Sequence, residues 1–251
     1  MINDSKNILL TGSNGKLGSA IIGSKLYNNL LNPSKDVLDI TKPSSIDNYL
    51  YENDIDFVIH SAALARMSLC QEKPQEAIKT NIIGTSNLVR SIMKFEEKEK
   101  IIIRFIHIST DGVYSCETGN YSEKGVTMPY NNYGWSKLGA ECAVRLLTNY
   151  IIIRTRFFNP DNIPFENSAT DIYTSSITLN ELVESIYFIM NTTFIGTINI
   201  GDVKKSEYNR YKKYKPSLKP CKRADIAKKL NFEIAKDASM NCDLWDELKD
   251  G

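Results

Sequence analysis

Histidine is scarce in this chain of 251 residues, which carries two, and its five cysteines are odd in number and scattered. Cys70, Cys116, Cys142, Cys221 and Cys242 include no pair at metal-ligand spacing, so a zinc site has no donor set to be built from. Reduced thiols are expected. No apolar run approaches the ~20 residues that a membrane-spanning helix needs. Met1 to Lys6 leads straight into a strand-like run without a secretory pattern, so a cytoplasmic protein is expected and the Asn191-Thr192-Thr193 sequon has no consequence. Charge of one sign is also missing: the formal net charge is +1, which offers nothing global to nucleic acid or to an acidic partner. There is no internal repeat, low-complexity linker or serine elbow, which removes solenoid and serine-hydrolase readings. What is left is enough chain for one large domain, or one domain with a small lobe attached, acting on a small molecule.

The chain opens with an apolar run, Asn7-Ile8-Leu9-Leu10-Thr11, followed at once by Gly12-Ser13-Asn14-Gly15-Lys16-Leu17-Gly18 and a helical pattern to about Asn28. Strand, glycine turn and helix in that order make an anion site, because glycines let backbone N–H groups approach a pyrophosphate and the helix N-terminus favours negative charge. An acidic residue for the ribose hydroxyls is expected about 20 residues later, where Asp36 and Asp39 both fall. Ser34-Lys35 lies just before them and could instead face a ribose phosphate. The choice between NADH and NADPH is open, with a lean to NADPH.

Pro43 to Asn53 reads as a helix with proline in its first turn. Phe57-Val58-Ile59-His60 is a buried strand running into the small residues Ser61-Ala62-Ala63, where a flat ring could lie close to the backbone. A long helix is expected from Pro74 to Phe95 on the spacing of its apolar residues, with Asn81 inside it suggesting a buried polar duty. Ile101 to Ile108, interrupted by Arg104, is the next strand. It delivers Ser109-Thr110-Asp111 to its carboxyl end, which in open α/β sheets faces the ligand crevice. A helix from Asn132 to Asn149 and a strand at Ile151–Thr155 follow. Alternating strands and helices imply a doubly wound parallel sheet over residues 1–160. Residues 161–251 are expected to form a small lobe, partly interleaved with that sheet by a helix starting at Leu179 and a strand at Gly196–Gly201. Between Lys204 and Arg223 this part carries nine Lys or Arg among three tyrosines, read as a solvated lobe edge rather than a nucleic-acid stripe.

Tyr133 and Lys137 stand four residues apart on the expected helix, so an ammonium would lie beside a phenol. A neighbouring cation favours the phenolate and lowers a pKa that is otherwise about 10, making the tyrosine a usable proton donor to a carbonyl oxygen. The same spacing recurs at Tyr208/Lys212 and Tyr211/Lys215; position at the sheet's carboxyl edge selects the first pair. His60 and His107 both sit in strands and read as satisfied core histidines.

The ordered set Thr11-Gly12-x-x-Gly15-x-x-Gly18, His60-Ser61-Ala62-Ala63, Thr80-Asn81-x-x-Gly84-Thr85, Ser109-Thr110-Asp111-Gly112-Val113-Tyr114 and Tyr133-Gly134-x-Ser136-Lys137 resembles the extended short-chain dehydrogenase/reductases. Leu38-Asp39-Ile40-Thr41 and Arg154-Thr155 make it most similar to the dTDP-4-dehydrorhamnose reductase family, which reduces the 4-keto group of nucleotide-linked deoxysugars. The resemblance runs from Asn7 to Pro160. It implies a Rossmann sheet with a reduced C-terminal substrate lobe and NADPH or NADH as cofactor. It places Gly12, Asn14, Gly15, Lys16, Leu17 and Gly18 at the pyrophosphate, Asp39 and Ile40 at the adenine, and Ala62, Ala63 and Leu64 beside the nicotinamide. Thr110, Tyr133 and Lys137 match the catalytic trio: Thr110 bonds the substrate oxygen, Tyr133 donates the proton, and Lys137 holds the nicotinamide ribose and tunes Tyr133. Asp111 and Phe157 are expected against the sugar.

The segment between Thr155 and Tyr173 is shorter than in that family. Gly112 after Asp111, where dehydratases carry a second acid, argues against dehydration. Epimerisation stays open, as does a non-catalytic regulatory subunit like the methionine adenosyltransferase beta subunit. The expected partner is a nucleotide sugar, with no nucleic acid and no membrane; a homodimer is the assembly allowed for.

Overall fold

Short apolar runs alternating with amphipathic stretches build three layers in the computed structural model, which describes residues 6–230 and 232–251. The sequence reading of Met1–Ser5 lies outside them. Strand β1 (Ile8–Thr11) feeds α1 (Lys16–Ser24); β2 (Leu30–Leu31), α2 (Pro43–Glu52) and β3 (Phe57–His60) follow. Short helices α3 (Met67–Glu72) and α4 (Pro74–Ala77) lead through a π-helical turn, Ile78–Gly84, into α5 (Thr85–Glu99). Next come β4 (Arg104–Ile108), a 3₁₀ turn at Asp111–Val113, α6 (Asn132–Val144) and β5 (Tyr150–Thr155). Beyond them lie β6 (Phe157–Phe158), β7 (Asn167–Ala169), β8 (Tyr173–Thr174), β9 (Ile177–Thr178), α7 (Leu179–Met190) and β10 (Gly196–Ile200).

Six of these strands form one parallel sheet in the order β10-β5-β4-β3-β1-β2. From β1 the chain steps outward to β2, then crosses back to β3 and continues the other way, so the winding reverses between β1 and β3. A crevice opens outside the carboxyl ends of strands at such a reversal. Here those ends are Thr11-Gly12 and His60-Ser61.

Successive side chains of a strand point to opposite faces, and the two faces carry separate cores. Ile8, Leu10, Ile59, Ile106, Ile151 and Ile198 pack beneath α1 and α7. Leu9, Val58, Phe105 and Ile152 pack beneath α2 and α5. On this second face each apolar residue is followed two positions later by a polar one: Thr11, His60, His107 and Arg154. Register pairs Thr11 with His60 and His60 with His107, so a buried polar row crosses the sheet near its carboxyl edge. Helix α6 covers the row with Lys137 and Glu141 and covers the apolar half with Val144, all three buried at helical spacing.

The expected long helix from Pro74 to Phe95 is three segments. A π turn inserts one residue into the α ladder, and this one carries Asn81, whose buried side chain accepts from Leu64 N at 2.7 Å and donates to Leu64 O at 3.1 Å and to Ser136 Oγ at 2.8 Å. The buried duty read for Asn81 is therefore present. Strand β4 starts at Arg104 instead of Ile101, because the guanidinium is buried against the carbonyls of Met190, Ile189 and Phe194 and Asn149 Oδ1 and so belongs to the sheet. Helix α6 stops at Val144, short of Asn149, and α1 stops at Ser24, short of Asn28, where Lys25 enters the left-handed region at φ 56°. Helix α7 begins where expected, fixed by a capping box between Thr178 and Glu181.

The remaining chain forms β11 (Lys205–Ser206), α8 (Glu207–Lys212), β12 (Lys219–Cys221), α9 (Arg223–Ala227), β13 (Asp237–Ala238) and α10 (Asp243–Asp250). It is more than the solvated edge expected from its charge: Arg210, Tyr211, Leu218 and Trp245 are buried, and Trp245 joins the core under α7. No helix among the described residues is long and apolar enough to cross a membrane.

Candidate active site

Two adjoining cavities follow the carboxyl edge of the sheet. The first, about 340 Å³, is lined by Gly12, Asn14, Gly15, Lys35, Asp39 and Ile40, with Ala62, Ala63 and Leu64 on its far wall. The second, about 550 Å³, is lined by Lys16, Leu17, Gly18, Thr110, Asp111 and Tyr133, with Lys137, Arg156 and Phe157. Gly15, Ser61 and Ala63 belong to both walls, so the two spaces form one crevice from Asp39 to Phe157. The site residues that the resemblance implies all line it, whereas Ser34 and Asp36, the other candidates for the ribose end, do not. A larger cavity of about 740 Å³ sits between α7 and α10, around Phe188 and Trp245; size does not outweigh the convergence of titratable groups in the crevice.

The glycine turn is built for close approach. Gly12 has φ +76°, and a Cβ there would lie 2.6 Å from Ala62 N; one on Gly18 would lie 2.3 Å from Gly12 O. Those two glycines are demanded by the fold itself. Gly15 is different, since its Cβ would meet only Gly12 O at 3.2 Å, and the rest of its surroundings are open crevice. Gly15 is also the N-cap of α1 and has no side chain to satisfy the first-turn N–H groups, which leaves them for an anion. This donor-lined cradle fits a dinucleotide. Asp39 turns its carboxylate inward to accept from Thr41 N at 3.0 Å and Thr41 Oγ1 at 2.8 Å. Despite partial burial its pKa is held low, by those hydrogen bonds and by Lys35 and Lys42.

At the other end, β4 delivers Thr110 and the 3₁₀ turn, and α6 delivers Tyr133 and Lys137. Asn131 caps α6 by accepting from Gly134 N at 2.9 Å. Gly134 lets the helix start lie against the 3₁₀ turn, since a Cβ would be 2.2 Å from Gly112 O. Thr110 Oγ1 accepts from Gly112 N at 3.1 Å, donates to Asp111 Oδ1 at 3.2 Å, and shares the cavity wall with Tyr133.

The electrostatics correct the expectation that the lysine lowers the pKa of the phenol. Burial pushes the Tyr133 pKa well up, with Asp111 and Cys70 adding to it, while Thr110 and Arg156 pull the other way. Lys137 is 2% exposed and burial depresses it to about 8, with Glu141 opposing. Its Nζ lies against His107 Nε2 at 3.2 Å. Desolvation dominates both the half-buried Tyr133 and the buried Lys137, which favours the neutral form of each.

Asp111, expected to touch substrate, has its carboxylate engaged: Arg156 Nε donates to Oδ2 at 2.6 Å and Nη2 to Oδ1 at 3.1 Å. A two-pronged ion pair at the cavity wall makes Asp111 the anchor of Arg156, and both residues line the crevice. Arg156 was not singled out in the sequence, nor was the buried set behind Lys137. There Glu141 accepts from Arg154 Nε at 3.1 Å and Nη2 at 2.7 Å and from Ser109 Oγ at 2.6 Å. His60 is satisfied as expected, between Thr11 Oγ1 at 2.7 Å and Thr85 Oγ1 at 2.9 Å. His107 is not: its Nδ1 has no partner among the described residues. The alternation Phe105-x-His107 and Ile152-x-Arg154 was the signal that could have placed these groups together under α6.

The other two tyrosine/lysine pairs are structural. Lys212 Nζ donates to the carbonyls of Pro216 and Leu218, and Lys215 Nζ to Phe165 O and Glu166.

Residues 6–160 match the family described as the RmlD substrate binding domain. A probable low-salt glycan biosynthesis reductase of Haloferax volcanii is 33% identical over 165 residues, which is 59% of this chain and 52% of that protein. A GDP-6-deoxy-D-talose 4-dehydrogenase of Aggregatibacter actinomycetemcomitans is 30% identical over 152 residues, 59% of this chain and 49% of that one. The chain thus spans about half the length of these curated relatives. In fold it is similar to a dTDP-4-dehydrorhamnose reductase of Bacillus anthracis solved in complex with NADP, with a TM-score of 0.85 at 21% identity over 96% of this chain and 92% of that one.

Proposed function

The chain belongs to the RmlD substrate binding domain family, and from that membership and its crevice we propose that it is an NAD(P)H-dependent reductase of the 4-keto group of a nucleotide-linked deoxysugar. The observation that carries the reading is the continuity of the crevice, which joins a glycine cradle for a dinucleotide to the Thr110/Tyr133/Lys137 set.

Gly12, Asn14, Gly15, Lys16, Leu17 and Gly18 would hold the pyrophosphate, Asp39 and Ile40 the adenine, and Ala62, Ala63 and Leu64 the nicotinamide side. When bound, the dinucleotide supplies hydride to the carbonyl carbon. Tyr133 supplies the proton to the carbonyl oxygen: its raised pKa keeps the phenol protonated at neutral pH, as a donor must be. Thr110 bonds the same oxygen and orients the phenol. Lys137, charged below pH about 8, would hold the nicotinamide ribose. Arg156 and Phe157 face the sugar. Lys35 lines the adenine end beside an Asp39 carboxylate already engaged by Thr41, which favours the 2′-phosphate of NADPH over NADH.

The test is a panel of 4-keto nucleotide sugars with NADPH or NADH, followed by loss of absorbance of the reduced nicotinamide. One equivalent of NAD(P)H should be consumed per sugar reduced. Interconversion of sugar epimers without net NAD(P)H consumption would replace the reductase reading with an epimerase. Dinucleotide binding without turnover of any substrate would replace it with a regulatory subunit.

A further inference from the structure

We propose that His107 is a positioning residue for Lys137: its Nε2 accepts a hydrogen bond from the buried ammonium and holds the lysine at the floor of the crevice. The inference rests on the reading that Lys137 binds the dinucleotide, and it concerns a residue that touches neither substrate nor cofactor.

Lys137 Nζ lies 3.2 Å from His107 Nε2, and both side chains are almost wholly out of solvent. A buried ammonium needs acceptors. The carboxylate one turn along α6, Glu141, is already engaged by Arg154 and Ser109. Tyr133, on the same helix, is a neutral phenol facing Thr110. From β3, His60 contributes a neutral ring fixed by Thr11 and Thr85, and its centroid lies 5.2 Å from that of His107. His107, on β4, is thus the acceptor that the fold brings to the ammonium.

The tautomer follows. If Nε2 accepts, the neutral ring carries its proton on Nδ1, the buried nitrogen without a partner among the described residues. An orphaned buried donor is unfavourable, and an aliphatic side chain like the Ile152 across from it on β5 would pack there without one. Holding Nε2 as a fixed acceptor accounts for the arrangement. Burial, Lys137 and His60 all keep the His107 pKa well below its ordinary value, so the ring stays an acceptor while the lysine changes charge.

With two histidines in the chain, ¹⁵N-labelled imidazoles can be read directly in the ligand-free protein. His107 Nε2 should be unprotonated across the neutral range and should show a step near pH 8 as Lys137 loses its proton. Lys137→Met should abolish the step. A His107 ring that protonates between pH 6 and 7, or whose Nε2 signal ignores Lys137→Met, overturns the proposal. The second measurement is NADPH affinity against pH. His107→Leu removes the acceptor and should move the pH at which affinity falls downward by about one to two units, the equivalent of one hydrogen bond to a charged group. His107→Gln places an amide oxygen near the same point and should restore the profile. Equal midpoints for all three proteins would reduce His107 to packing. If neither NADPH nor NADH binds, the reductase reading fails, and the ¹⁵N step still decides the role of His107.

Discussion

At the scale of single residues, the site sets the needs of chemistry against those of stability most plainly at Lys137. Its folded pKa of about 8 lies below the value of 10.5 that the unfolded chain would have. Below pH 8 the fold must bury the charged form, at a cost of about 3 kcal/mol. Between pH 8 and 10.5 the unfolded chain binds more protons than the folded one, so stability rises with pH across that window. Lys137→Met removes the charge at nearly constant shape. Thermal melts should show the variant several degrees more stable than the parent at pH 7, with the gain fading toward pH 10.5, while dinucleotide affinity falls. A constant gap across the window would mean that Lys137 carries no buried charge. Tyr133 makes the opposite case, since its phenol stays neutral over the working range. Tyr133→Phe should keep NAD(P)H affinity and lose about 10²–10⁴ in turnover, the usual contribution of a general acid. Tyr208→Phe, on a helix whose lysine caps carbonyls, should leave the rate unchanged in the same assay.

At the scale of elements, the glycines divide by what they face. Gly134→Ala would push α6 off the 3₁₀ turn that carries Thr110, because the new Cβ would meet Gly112 O. Overpacking of this kind is expected to lower stability by about 1–3 kcal/mol and to lower activity with it. Gly15→Val needs a shift of only a few tenths of an ångström in the protein itself. It should unfold near the parent's temperature while titrations of NAD(P)H show a large loss of affinity; unchanged affinity would remove the dinucleotide from that turn. The strands, the glycine turn and the start of α6 were legible because apolar periodicity and turn residues are local signals. The ends of α1 and α6 were not, since nothing in Lys25 or Arg145 marks a stop. The π turn was visible only as one misplaced asparagine, and its partners Leu64 and Ser136 lie far away in sequence. The Lys137–His107 contact was hidden for the same reason: the i,i+4 rule pointed along the helix to Tyr133, whereas the acceptor comes from a strand beneath it. Arg156 was masked by its ion pair, because a sequence shows Asp111 as a free carboxylate and cannot show what occupies it.

At the scale of the molecule, the question is whether residues 161–251 stand apart as a lobe or fold with the sheet. Helix α7 and strand β10 extend the layers begun by α1 and β5. Arg104, on β4, holds the carbonyls at the end of α7 and before β10. Asn199, inside β10, donates to Tyr121 O at 2.8 Å and Asn241 O at 3.0 Å and accepts from the Tyr114 hydroxyl at 2.9 Å, tying the last quarter of the chain to the loop after β4. Trp245 then closes the core from α10, 4% exposed and edge-on to Phe188 at 5.6 Å. These ties cross position 160 at many points, which predicts one cooperative transition with no stage in which the sheet stands alone. The two tryptophans make it measurable, because Trp135 is half exposed on α6 and Trp245 is buried in the later part. Fluorescence and far-ultraviolet circular dichroism should trace the same urea curve. Trp245→Ala should shift the whole dichroism curve by about 3–5 kcal/mol, the cost of emptying a buried aromatic site. An early fluorescence transition, or a Trp245→Ala variant whose sheet signal unfolds where the parent's does, would instead show residues 161–251 folding as a unit of their own.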